Sequence, residues 1–122
     1  DKKIIQVDGN ELNYLMNFDH SEPYFIDTDS FQTSNYPATV IKPNIRDWST
    51  SGFSELTDWY SFAIIACQIF IGIHPFKGRH PGYGKDIKQR SIDCISIFNK
   101  DTRVNGSVRD FSYIPEGYME WF

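Results

Sequence analysis

The chain has 122 residues, 40% of them hydrophobic and 16% aromatic, enough for one core and short for two, so a single domain over 1–122 is expected. A formal net charge of -4, with 12 Lys and Arg dispersed along the chain, supplies no basic stripe for a phosphate backbone and argues against a nucleic-acid partner. The most apolar stretch, Phe62 to Ile73, is interrupted by Gln68 and falls short of the roughly 20 residues a bilayer span needs, so no membrane partner is expected.

In chain order, the opening DKKIIQV lacks the apolar core of a secretory signal. NYLMN and EPYFID, separated by the turn-like FDHS, predict a small β-hairpin with Asp8 and Asn13 ahead of its first strand and Asp27 ending its second. Out along one strand and back along the other, the acids reach one rim. From Thr28 to Gly52 the composition turns to Ser, Thr, Asn and Pro, which predicts a long irregular loop.

Leu56 to Ile71 predicts the main helix, with the Thr57 hydroxyl as cap, Glu55 and Asp58 at the positive end of the dipole, and Gly72 as the stop. Its apolar residues run nearly all the way round, which predicts a buried central helix. A second helix is expected from about Lys85 to Phe98, and a third begins in PEGYMEWF. Cys67 and Cys94 form no Cys-x-x-Cys pair; we read both as reduced, buried thiols of a cytoplasmic protein, a disulfide between them being the alternative. The sequence starts just before a motif and stops in mid-pattern at YMEWF, so a fragment of something longer is expected.

These pieces, in order, resemble the C-terminal lobe of a protein kinase. QVDGNELNYLM resembles the catalytic loop, with Asp8 in place of the base and Asn13 in place of the metal-binding amide. FIDTDSF resembles the magnesium-binding turn, with Asp27 at the Asp of Asp-Phe-Gly and Asp29 as a further ligand or a turn cap. TDWYSFAIIACQIFIGIHPFKG resembles the long central helix and its closing corner, with Asp58 as the acid beneath the catalytic loop. KDTRV resembles a later stretch that carries a structural arginine, here Arg103. NELNYLM, IDTDSFQ and HPFKG are similar to a divergent kinase-like group of bacteria and phages.

The resemblance implies a mainly α, kinase C-lobe-like fold with a small hairpin, built around a buried central helix. It also implies Ser/Thr-type phosphoryl transfer from ATP with Mg2+ in the intact protein: Asp8 takes the acceptor's proton, and Asn13 and Asp27 hold the metal. The implied partners are an N-terminal lobe absent from this sequence, which leaves the fragment alone inactive, a protein substrate, and a second copy docked on the exposed lobe face.

Departures from the family pattern support an alternative, a pseudokinase or kinase-like interaction domain without catalysis. Gln6 and Val7 replace the His and Arg of the catalytic loop, and Asn10 stands where many members carry a Lys. Asp-Phe-Gly has become Asp-Thr-Asp, and IKPN, with Asn44, replaces the closing Ala-Pro-Glu, depriving Arg103 of its charged partner. His74 and His80 lack a Cys or acid at ligand spacing, so zinc is not expected, and His20 falls in the hairpin turn. Tyr83, Lys85, Lys88 and Arg90 read as a solvated basic face of the second helix.

Overall fold

The computed structural model describes residues 3–122. The chain divides into two compact units, the first running to Phe62 and the second covering Ala63–Phe122.

The first unit carries the hairpin. Strand β1 (Tyr14–Met16) pairs antiparallel with β2 (Pro23–Phe25) in the register Tyr14 to Phe25, Leu15 to Tyr24 and Met16 to Pro23. A side-chain web closes the 17–22 loop: Glu22 N–H donates to Asn17 Oδ1, Ser21 N–H donates to Asp19 Oδ1, and His20 takes a left-handed φ of 59°. A single 3-10 turn (Thr28–Ser30) follows. Beyond it, Gln32 and Ile5 exchange backbone bonds of 2.8 and 3.0 Å. Ile5, Val7, Ile41 and Ile45 are the buried aliphatics of this unit.

Helix α1 spans Glu55–Ile71. Its start is a reciprocal box one turn earlier than expected: Ser54 Oγ accepts the Thr57 N–H, and Thr57 Oγ1 accepts the Ser54 N–H at 2.8 Å. The cap is therefore Ser54, with Thr57 as its partner inside the helix. At the other end Gly72, at φ 81°, donates its N–H to Gln68 O and stops the helix.

In the second unit, Cys67, Ile71, Ile97 and Ile114 form the buried cluster, with Phe70, Phe98 and Phe111 packed against it. The Phe98 ring lies 4.8 Å from Phe111 and 5.8 Å from Phe122. Helix α2 is only Ile87–Ile92, and α3 is Glu116–Met119. The expected helix to Phe98 stops early because Cys94 adopts φ 54°. There Ile95 N–H bonds back to Arg90 O and Cys94 N–H to Ser91 O, the paired pattern of a left-handed helix stop. Cys94 is exposed, contrary to the expected burial, and both thiols are free.

The expected mainly α, kinase C-lobe-like architecture is not the one observed. Among the described residues there are three α-helices and a two-stranded hairpin, and only 28% are helical. The physical reason lies in the polar residues of the connections. Asn10, Asp19, Asp47, Asn99, Asn105 and Asp110 each accept, on a side-chain oxygen, the backbone N–H two residues on. Such turns satisfy the backbone locally and compete with helix. Nor is the long helix buried on every face, because Leu56, Trp59, Phe62 and Ile69 are 78%, 58%, 37% and 66% exposed. Apolar residues all round a helix state what it could bury, whereas the neighbours actually present decide what it does bury.

Candidate functional site

The candidate site lies in the first unit and begins with a backbone constraint. Gln6 and Val7 donate their N–H groups to the two oxygens of Asp58, at 2.6 and 2.9 Å. Val7 is buried, and its φ of 65° is a left-handed conformation that β-branched residues avoid. Such a residue persists only where its surroundings over-determine it, and here the Asp58 carboxylate does so. Asp58, on the first turn of α1, is thus spent on shaping the loop that leads into Asp8.

Asp8 and Asn13 close that loop from within. Asn13 Nδ2 donates to the Asp8 carbonyl at 2.8 Å, and the Asn13 side chain is buried. This bond fixes the amide with Oδ1 directed elsewhere, and Oδ1 accepts no hydrogen bond among the described residues. The Asp8 carboxylate accepts the Lys42 N–H on Oδ1 at 2.9 Å. Lys42 also forms an ion pair through Nζ with Glu11. Gly9, next to Asp8, is pressed against Gln6 and Tyr14; an added Cβ would stand 2.9 Å from Gln6 Oε1 and from the Tyr14 hydroxyl. Burial raises the Tyr14 phenol above its ordinary pKa despite that contact with Gln6, so the hydroxyl stays protonated.

The hairpin then brings Asp27 to the same end of the ladder. Ile26 N–H donates to Asn13 O at 3.0 Å, one step beyond the Tyr14–Phe25 pair, and Asp27 follows at φ 59°, ψ 58°. Ser30 Oγ reaches both Asp27 O at 3.2 Å and Gln6 O at 3.4 Å, tying the 3-10 turn back to the loop. Asp27 and Asp29 are exposed carboxylates. At this end of the ladder Asp27 and Asp29 therefore present exposed carboxylate oxygens, hard donors of the kind that divalent cations such as Mg2+ take. Among the described residues, no group of three or more His, Cys, Asp or Glu could hold a metal by itself.

The remaining predicted residues lie elsewhere. Arg103, in the second unit, is exposed and pairs with Arg79 through backbone bonds alone, each 2.8 Å. The buried guanidinium is Arg90, 1% exposed, contrary to the solvated face expected of it. Its Nε donates to Ile95 O at 3.1 Å, its Nη1 to Gly78 O at 2.9 Å, and its Nη2 to Thr102 Oγ1 at 3.5 Å. A signal for this exists only in retrospect: a short helix ending in a left-handed residue leaves carbonyls for a long cation to collect. His74 is buried, with Nδ1 accepting the Phe76 N–H, and His80 Nδ1 accepts the Gly82 N–H, so both serve turns.

No family model, curated protein or solved structure matches this chain. No helix among the described residues is long and apolar enough to cross a membrane.

Proposed function

We propose that the chain is the catalytic-loop portion of a divergent protein-kinase-like phosphotransferase, transferring the γ-phosphoryl group of ATP to a Ser or Thr hydroxyl in the intact protein. The observation that carries this reading is the shared rim: a loop shaped by Asp58 presents Asp8, the Asn13 to Asp8 bond closes it, and the hairpin returns Asp27 beside it.

Asp8 Oδ1 is occupied by the Lys42 N–H, which orients the carboxylate and leaves Oδ2 to receive the acceptor's proton as its oxygen bonds to the γ-phosphorus and the bond to ADP breaks. Asn13 Oδ1 and the Asp27 carboxylate would hold Mg2+, whose charge offsets that of the phosphates. Asp29 would add a further carboxylate at the same turn. Use of ATP fits a cytoplasmic protein. The exposed apolar side chains of the hairpin, Leu15, Met16, Tyr24 and Phe25, would meet an N-terminal lobe, or a second copy where that lobe is lacking.

A second reading, a kinase-like interaction domain without catalysis, is favoured by Asn10. Its side chain is buried and turned onto backbone, accepting the Leu12 N–H at 2.9 Å and donating to Asp8 O at 3.4 Å. The loop therefore offers no cation of its own to the transferring phosphate.

The test is phosphate transfer from γ-labelled ATP by the longest product of the reading frame, beside its Asp8→Asn and Asp27→Asn variants. Magnesium-dependent transfer abolished by each substitution supports the enzyme. Absence of transfer together with no thermal stabilisation by Mg-ATP refutes it and leaves the interaction domain.

A further inference from the structure

The second unit holds a cavity of about 610 Å3 formed by the turn after α1, the start of α2 and the segment around Arg103, a size suited to a small ligand or a single large side chain. Lys77, Arg79, Lys85, Arg90 and Arg103 line it, and no acidic residue does. In a chain of net charge -4, this concentrates positive charge against the average. Between the cations the wall is apolar, supplied by Ile73, Phe76, Ile87 and Val104.

Two of these cations, both exposed, are held side by side by the backbone. Arg79 and Arg103 are directly opposed, each donating its N–H to the other's carbonyl at 2.8 Å. Directly opposed residues of an antiparallel pair send their side chains to the same side, where like charges repel. Among the described residues neither Arg79, Arg103, Lys77 nor Lys85 forms an ion pair. The backbone dictates this juxtaposition. Gly78, at φ 89°, packs so closely that an added Cβ would lie 2.9 Å from Thr102 Cγ2 and 3.1 Å from Arg103 O. Arg90 ties Gly78 O to Ile95 O from beneath. Its donors are committed to the wall, which leaves the other four cations to meet a ligand.

We infer that this cavity binds a phosphomonoester carried on an apolar or aromatic body. Two guanidiniums and two ammoniums gather four positive charges at the cavity, which the near-dianionic phosphomonoester with its three terminal oxygens offsets better than the single charge of a carboxylate. The apolar wall then distinguishes a phosphate on an organic body from the bare ion. A small metabolite and a phosphorylated side chain of a polypeptide both supply this group. The site uses no residue of the proposed transfer chemistry, so either can fail without the other.

The test is a titration of the full chain, followed by backbone amide shifts, with inorganic phosphate, phenyl phosphate and a phosphotyrosine peptide. Phenyl phosphate is expected to saturate shifts at Lys77–Arg79 and Arg103–Asn105, to bind at least about tenfold more tightly than inorganic phosphate, and to weaken with salt. Arg79→Gln with Arg103→Gln is expected to reduce that affinity about tenfold or more. Lys85→Gln, on an exposed position, gives a smaller loss and serves if the double variant does not fold. A tighter peptide assigns the source to a polypeptide and a tighter phenyl phosphate to a small molecule, both consistent with the inference. No saturation, equal affinity for inorganic phosphate (an adventitious ion only), or unchanged binding in folded variants overturns it.

Discussion

Asp58 holds Val7 in place through its backbone: the carboxylate accepts the Val7 N–H on Oδ1 at 2.9 Å while the Gln6 N–H fills Oδ2 at 2.6 Å. The two partners are more than fifty residues apart in sequence, so this one side chain couples the first turn of α1 to the approach of Asp8.

Asp58→Ala therefore leaves two partly buried N–H groups without acceptors and releases a strained Val7. Each orphaned donor costs roughly 1–3 kcal/mol, so a loss of about 2–6 kcal/mol is expected in a urea titration. Asp58→Asn retains one acceptor oxygen and should lose about half as much. A loss under about 0.5 kcal/mol for Asp58→Ala would show that the loop holds its shape without the carboxylate.

Arg90 predicts a sharper contrast. Arg90→Met removes the donors to Ile95 O and Gly78 O and should destabilise the chain by roughly 2–4 kcal/mol. Arg90→Lys keeps the charge but loses the planar fork that spans both carbonyls, and should recover less than half of that. Full recovery with Lys would mean that charge rather than geometry matters at this position.

Cys94 sits at φ 54° where a helix stop favours Gly. Being exposed, it has little packing to lose. Cys94→Gly should raise stability by about 0.5–1 kcal/mol, read as a higher denaturation midpoint with an unchanged slope. A fall in the midpoint would mean that the thiol makes contacts that outweigh the backbone strain.

The two thiols should also separate chemically. Burial pushes the Cys67 thiol up to about 12, and it is fully buried, with Sγ donating to Ile73 O at 3.6 Å. One equivalent of a thiol reagent should react in the native state, at Cys94, and the second only in denaturant. The folded-state pKa lies above the ordinary thiol value of 9.0, so the unfolded chain ionises first as pH rises. The contribution of Cys67 to stability is thus complete below pH 9 and is lost progressively between pH 9 and about 12. Two fast-reacting thiols in the native state would contradict the burial.

Sequence alone determined the local elements, because local chemistry suffices for them. The apolar run with a polar cap and Gly72 specifies the long helix. Short apolar runs around FDHS specify the hairpin, and Asp8, Asn13 and Asp27 carry the chemistry that the proposed function uses. Tertiary structure decided the rest. Arg90 is inside because carbonyls left by Gly78 and by the stop at Cys94 converge on it, and no period in the sequence encodes that convergence. Trp59 and Ile69 are outside because periodicity describes a helix surface and says nothing of what covers it. Arg79 opposes Arg103 because two distant segments pair through backbone, and the charge that this places in one cavity is a property of the pairing rather than of either segment.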